Sequence, residues 1–383
     1  MKFVNDKDTL TISFEGEINS FNADEIEKEV ERITSQQTFK KLVLDFLNLK
    51  YISSAGLRII LKLKQKYDDV HIVEASLEVY DVLTMTGFTN IMDVKKALTR
   101  VSVDGAKIIG TGFFSTVYRV TPDTIIKVFN RVSDPQQIER ELSLAKQAFV
   151  LGIPTAISYD IVRVNDKYGV RFEMLDCISL KDAFLEQTDK YDELIDRYVA
   201  LLKKINTTTC LDPNVRSLKE FYLEKIDVCK QFIDEKHYQK ARKMIEKIPD
   251  DMTFVHGDCH FKNIMVQNGD FLLIDMDTLS HGNPLFEFAA IRAPYLAFEE
   301  DDPGNTARFL GVPKEMCAKI YYDTLEKYFG KADKAIIDKI AIACYIHMVW
   351  WNTVNTPENK ARLNGCKERL IKLLDEYDDL LIS

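Results

Sequence analysis

The residues best suited to chemistry crowd into one stretch, HGDCHFKN at 256–263, with two histidines, an aspartate and an asparagine in eight positions. Past the apolar run FLLI, the segment LLIDMD adds two more carboxylates, Asp275 and Asp277. Burying an unpaired charge costs several kcal/mol, so polar groups this dense beside an apolar run are either a solvated loop or an assembled site. Asp258 precedes Asn263 by five residues, and Asp275 follows the hairpin-like segment IMVQNGDFLLI. An aspartate beside an acceptor hydroxyl, an asparagine on a metal and a second metal-binding aspartate are what phosphoryl transfer demands. Charge on the transferring group must be neutralised while the attacking oxygen is positioned. Oxygen ligands suit magnesium, whereas His256 and His260 lack further nitrogen or sulfur partners at zinc spacing. The histidines are therefore read as hydrogen-bonding groups of the loop.

A phosphate-binding partner for this set lies upstream. IGTGFFSTVYRV places Gly110 and Gly112 in a strand–turn–strand setting, with Ser115 where a third glycine often stands. Glycines let backbone N–H groups approach phosphate oxygens, although a G-x-G in a hairpin is also a plain turn. TIIKVF then carries Lys127 among apolar neighbours. Such a lysine either needs an anionic partner or points to water from an edge strand. Glu141 on the next helix is the expected partner, with Glu139 the alternative.

Elements must hold these groups in place. At 383 residues the chain exceeds one ordinary core and predicts two or three domains. In the first 100 residues, strand-like TLTISFEG, KLVLDFL and HIVEA alternate with helix-like NADEIEKEVERI, SSAGLRIILKLKQKY and SLEVYDVLTMTGF. That order predicts a mostly parallel sheet. RVSVDGAK reads as a connector with a turn at Asp104-Gly105. KIIGTGFFSTVYRVTPDTIIKVFN, the helix QQIERELSLAKQAFVLG and the strands SYDIVRV and YGVRFEML precede a long helical remainder. A strand-rich unit leading into a helix-rich one predicts two lobes with a cleft.

Composition narrows the partners. A net charge of −9 argues against nucleic-acid binding, which needs a basic surface. The amino-terminal MKFVNDKDTL lacks the apolar core of a secretory signal, and IAIACYIHMVWW is too short to span a bilayer. Seven cysteines, none before Cys177 and none in a C-x-x-C pair, predict neither a disulfide framework nor a zinc site. A cytoplasmic protein without membrane partners is expected. FEEDD at 298–302 offers acids for an aminoglycoside's amines, and Trp350-Trp351 near Tyr345 offer a cage for a quaternary ammonium. The plain alternatives are a solvated loop and a core helix.

HGDCHFKN resembles the H-G-D-x-H-x-x-N motif of aminoglycoside phosphotransferases and choline-kinase-like enzymes, and LLIDMD their I-D-x-D. GNPLFEFA is similar to their G-D-P-x-x-D-L-A, with Asn283 and Glu287 as departures. The resemblance covers residues 107–383. It implies a protein-kinase-like fold, ATP with magnesium, and transfer of the γ-phosphoryl group to a hydroxyl. It further implies Asp258 as base, Asn263 and Asp275 on metal, and Lys127 on the ATP phosphates. FEML, from Glu173 to Leu175, resembles the hinge whose backbone meets adenine. His-Gly-Asp in place of His-Arg-Asp, with no A-P-E after it, favours a small-molecule acceptor.

The amino-terminal block resembles STAS domains, the anti-sigma-factor antagonists, through YISSAGL and VYDVLTMTGF. A serine at such a helix start caps it by accepting a backbone N–H bond. In that family the serine is phosphorylated by a switch kinase, and its position falls on Ser54, with Ser53 where many members have aspartate. A phosphate there would sit on a helix N-terminus and add about two negative charges to the surface.

The expected fold is thus α/β and α+β: a small STAS-type α/β sandwich followed by a two-lobed protein-kinase-like domain. The boundaries are 1–100 for the first, 101–106 for a linker, 107–175 for the N-lobe and 176–383 for the helical C-lobe. The expected function is an ATP-dependent phosphotransferase acting on a hydroxyl of an aminoglycoside, choline, amino-alcohol or sugar type of molecule. The STAS module would regulate or dock, with an anti-sigma factor or switch kinase as partner. Two alternatives stay open: a signalling adaptor whose kinase-like part senses nucleotide, and a protein serine kinase acting on Ser54 of another copy.

Overall fold

A computed structural model describes residues 1–112, 115–131 and 135–382. Phe113 and Phe114, in the predicted glycine turn, lie outside the described residues. The chain divides into two units, Met1–Ser102 with Ile161–Asp166, and Val103–Asp160 with Lys167–Ser383.

In the first unit, strands β1 (Lys2–Asp6), β2 (Thr9–Ile18), β3 (Lys41–Ile52), β4 (Val70–Ala75) and β5 (Asp93–Lys96) form one sheet in that order. The β1–β2 pair is antiparallel and the other three pairs are parallel. Period-two patterning aims Leu10, Ile12 and Phe14 of β2 and Leu42, Leu44 and Phe46 of β3 into the core, where all are buried. Helices α1 (Ala23–Ser35), α2 (Ser54–Lys66) and α3 (Leu77–Met85) alternate with the strands. A short strand β6 (Thr99–Arg100) pairs parallel to Val162–Arg163, which is why 161–166 fall into this unit.

The YISSAGL motif has a steric reason. Ser53 is the N-cap of α2 and accepts from the Gly56 amide at 3.4 Å, which leaves Ser54 exposed at the first helical position. A Cβ on Gly56 would lie 2.7 Å from both Ile18 Cγ2 and Ile52 Cγ1. Alanine normally stabilises a helix by about 1 kcal/mol over glycine. Here overpacking reverses the sign, and Gly56→Ala is expected to destabilise the unit by about 2 kcal/mol, read as a lowered thermal midpoint.

The second unit opens with an antiparallel sheet. Strands β7 (Lys107–Thr111), β8 (Ser115–Thr121) and β9 (Thr124–Phe129) form a meander. Helix α4 (Pro135–Val150) follows, then β10 (Ser158–Val164) and β11 (Lys167–Glu173), the latter pairing with β9. Lys127 is therefore on a central strand, not an edge. After β12 (Ile178–Ser179), helices α5 (Leu180–Glu186), α6 (Tyr191–Thr207), α7 (Leu218–Cys229) and α8 (Glu235–Glu246) lead to the catalytic-type loop. That loop is framed by β13 (Phe254–Val255), the hairpin β14 (Ile264–Gln267) and β15 (Asp270–Leu273), and β16 (Ser280–His281). The remainder is helical: α9 (Pro284–Arg292), α10 (Phe298–Glu300), α11 (Asn305–Leu310), α12 (Lys314–Phe329), α13 (Lys334–Val354) and α14 (Lys360–Glu376). Helix α13 carries much of the core, with Ile340 to Ile346 all buried.

Candidate active site

The β14–β15 hairpin aligns the two metal-type side chains. Ile264 pairs with Leu273, so Asn263 and Asp275 flank the open end, and the Ile274 amide donates to the Asn263 carbonyl at 3.0 Å. Asn263 Nδ2 donates to Asp258 Oδ2 and to the Asp258 carbonyl, both at 2.9 Å. Lys127 Nζ reaches in from β9 to pair with Asp275, and Glu141 of α4 stands 3.9 Å from the same ammonium. Glu139, the alternative partner, is exposed on the helix. The structure thus brings Asp258, Asn263, Asp275, Lys127 and Glu141 into one cluster.

Local backbone explains the motif letters. Gly257 has φ +81°, and a Cβ there would sit 3.1 Å from the Thr278 carbonyl oxygen. Asp275 takes a left-handed conformation at φ 62°, rare for a non-glycine residue and recurrent at functional sites. His256 is fully buried; its Nε2 donates to the Ile274 carbonyl at 3.2 Å and its Nδ1 accepts from the Asp258 amide at 3.3 Å. Burial holds this imidazole down at about 4, so it braces the loop as a neutral ring. His260 differs: its Nε2 lies 3.5 Å from Asp258 Oδ1, and its buried Nδ1 has no hydrogen-bond partner.

Charge is crowded here. Burial and then Asp275 push the Asp258 carboxyl up to about 7. The same two causes raise Asp277 to about 7, and burial raises Glu141 to about 7. Burial works against the Lys127 ammonium, but Asp275, Glu141 and Asp277 together hold its pKa above the ordinary lysine value. A divalent cation would stabilise such carboxylates, and the donors present are oxygens, which magnesium prefers. Among the described residues no cluster of three or more His, Cys, Asp or Glu side chains is arranged to hold a metal alone. Magnesium bound with nucleotide phosphates needs only one or two protein carboxylates.

A cavity of about 950 Å³ opens on part of this cluster, with Gly112, Ser115, Lys127, Glu141, Asp275 and Asp277 in its wall; Asp258 and Asn263 are not among the described residues lining it. Gly110 lies on β7, opposite Val117 of β8. Glu173 and Leu175 are not among the described residues lining this cavity. The Glu173 carboxylate accepts from the Ile157 amide at 2.7 Å, and the Leu175 carbonyl accepts a thiol contact from Cys177 at 3.5 Å.

Two residues carry roles that sequence reading left unassigned. Asp277, the second acid of I-D-x-D, is an exposed residue of the cavity wall whose charge acts on Lys127 and is acted on by Asp275. Glu287, seen in the sequence only as a motif departure, is fully buried; its carboxylate accepts from the His256 amide at 2.7 Å and the Gly257 amide at 3.0 Å. The signal for it was the acidic position three residues into a helix that follows Asn283-Pro284. Tyr198 and Tyr295 fix the loop further, through the Cys259 carbonyl and the Phe261 amide.

The acidic run is not a solvated loop. Glu300 binds Arg292 at 2.9 Å and Arg369 at 3.1 Å, Asp301 pairs with Arg369, Asp302 with Arg308 at 2.7 Å, and Glu299 takes the Gly304 amide at 2.9 Å. Tyr345 is buried and donates to Glu300 at 2.8 Å, while Trp350 packs edge-on against Phe221 at 5.3 Å. These acids bind the protein's own cations.

Residues 105–310 match the family model described as "Phosphotransferase enzyme family", more than half of the chain. The chain belongs to that family. Residues 2–103 match the STAS domain model, so this phosphotransferase carries an amino-terminal STAS domain. That part is 35% identical over 100 residues to BtrV of Bordetella bronchiseptica, named an anti-sigma factor antagonist, covering 24% of this chain and 85% of that protein. Among solved structures, the ADP-bound aminoglycoside phosphotransferase APH(2'')-Ib is 15% identical with a TM-score of 0.48, over 70% of this chain and 93% of that one. A choline/ethanolamine kinase family protein from Mesorhizobium loti is 12% identical with a TM-score of 0.46, over 70% of this chain and 91% of that one. No helix among the described residues is long and apolar enough to cross a membrane.

Proposed function

We propose that this phosphotransferase moves the γ-phosphoryl group of ATP to a hydroxyl of a small molecule. The observation that carries the reading is the single cluster in which Asn263 bonds Asp258 while Lys127 joins Asp275 to Glu141. In this reading Asp258 accepts the hydroxyl proton as the acceptor oxygen bonds to the γ-phosphorus and the bond to the ADP oxygen breaks. Lys127, held by Glu141, contacts the phosphates, and Gly110, Gly112 and Ser115 bring backbone N–H groups over them. Asn263 and Asp275 hold magnesium, with Asp277 beside them; the ion supplies charge neutralisation on the phosphoryl oxygens. Glu173 and Leu175 contribute the backbone that meets adenine.

Acceptor-dependent ADP release from the full chain, over a panel of hydroxyl compounds, tests the proposal. Lys127→Ala is expected to raise the KM for ATP at least tenfold, about 1.4 kcal/mol or more of lost phosphate binding. An unchanged KM for ATP would remove Lys127 from the phosphate site.

The STAS domain is proposed to dock an anti-sigma factor or switch kinase, on the strength of the BtrV likeness and the exposed hydroxyl position of Ser54. Incubation with a switch kinase and labelled ATP, comparing wild type with Ser54→Ala, reads this directly; label retained in the variant excludes Ser54. Label appearing in the chain alone and lost in Ser54→Ala would instead favour a protein serine kinase.

A further inference from the structure

We propose that the phosphoryl acceptor carries an anionic group, a carboxylate or a phosphate, that seats on Lys225 and Arg216 in the wall of this cavity. The inference deepens the phosphotransferase reading and rests on it.

The cavity lined by Lys127 and Asp275 is also lined by Thr278 and Ser280 and by residues of the segment before α7, of α7 and of α13. That wall presents Arg216, Phe221, Tyr222, Lys225 and His347. Lys225 is 2% exposed, and among the described residues the side chains acting on its charge are Arg216 and Cys229, with no carboxylate. Its ammonium lies 4.1 Å from the ring centres of Phe221 and Tyr222 and 5.2 Å from that of Trp350. It donates to His347 Nδ1 at 2.9 Å. His347 is held far below the usual imidazole value by burial and then by Lys225, so it accepts as a neutral ring. Among the described residues this buried cation is supported by a neutral ring and π-faces, without the carboxylate counter-charge that such groups normally have.

Arg216 adds a second cation. Its guanidinium stacks on Phe221 at 3.3 Å, and Glu224 reaches it only at 3.8 Å through side chains that are 55% and 69% exposed, a weak pair in water. Asp212, an acid of the same wall, is already engaged by the Asn214 amide and side chain, each at 2.9 Å. Burial and then Arg216 push the Lys225 ammonium down to about 7, and an incoming anion would restore its charge.

The same geometry disfavours cationic acceptors. The aromatic faces that would cage a quaternary ammonium are covered by the protein's own Lys225, and the acidic run that would receive amines is spent on Arg292, Arg308 and Arg369.

The test uses the full chain. Titration with magnesium and AMP-PNP comes first, and its failure would remove the nucleotide reading, separately from this one. With that site saturated, calorimetry compares glycerate, glycerol 3-phosphate, glycerol and choline. Glycerate or glycerol 3-phosphate is expected to bind more tightly than glycerol or choline, the preferred one identifying the anion. Its Kd is expected to rise at least about tenfold in Lys225→Met and in Arg216→Gln, with AMP-PNP affinity unchanged. Arg216 is half exposed, so the second variant reports even where the first fails to fold. Binding of neither anion, anion binding undiminished by the substitutions, or tighter binding of choline would overturn the inference.

Discussion

Asp258→Asn is expected to lower kcat by about a thousandfold while MgATP affinity stays close to wild type. The substitution keeps the shape of the side chain and its contact with Asn263, so the loop is preserved. What it removes is the carboxylate beside Asn263 that the proposal assigns as proton acceptor. Amide for carboxylate also removes one negative charge next to Asp275, which would if anything favour binding of a polyanion. A kcat within a few-fold of wild type would dismiss Asp258 as the base. A loss of MgATP binding equal to the loss of rate would make it a binding residue instead.

Glu287→Ala is expected to carry the second largest effect, on stability and turnover together. The fully buried carboxylate takes the His256 and Gly257 amides, and both donors would be left without a partner. Two unsatisfied buried amides cost about 3 kcal/mol or more, read as a lowered thermal midpoint. Those amides also set where Asp258 stands, one residue on. A displacement of even about 1 Å costs on the order of a hundredfold in rate. Glu287→Asp is expected to recover part of both losses, since the shorter carboxylate still accepts but must draw the loop towards α9. Wild-type stability in Glu287→Ala would show that the loop positions itself without it.

How much of this was legible in the sequence follows the physics of each signal. Strand β2 announced itself by alternation and β3 by a buried-strand type of run, and Asp258, Asn263 and Asp275 by spacing that a hairpin turns into proximity. β1 did not: all five of its residues are exposed, so no apolar pattern marked it. β5 and β6 were too short to show a period. The choice of Glu141 over Glu139 required the helical phase of α4, which depends on what the helix packs against. Glu287 showed in the sequence only as a motif departure, because its partners are backbone amides, which no side-chain motif encodes. FEEDD could be read only as a solvated loop or a ligand surface, because its cations come from residues 292, 308 and 369, separated in sequence and joined by the fold. For the same reason the cationic wall at Lys225 and Arg216 could not be read from α7 alone.

The central claim is that one magnesium-bound triphosphate is shared by groups from both lobes of the second unit. A crystal structure of the full chain with magnesium and AMP-PNP tests it most directly. The account predicts metal density on Asn263 and Asp275, the phosphates against Lys127, and the γ-phosphorus facing Asp258. Nucleotide lodged away from Lys127, or a metal touching neither Asn263 nor Asp275, would contradict it.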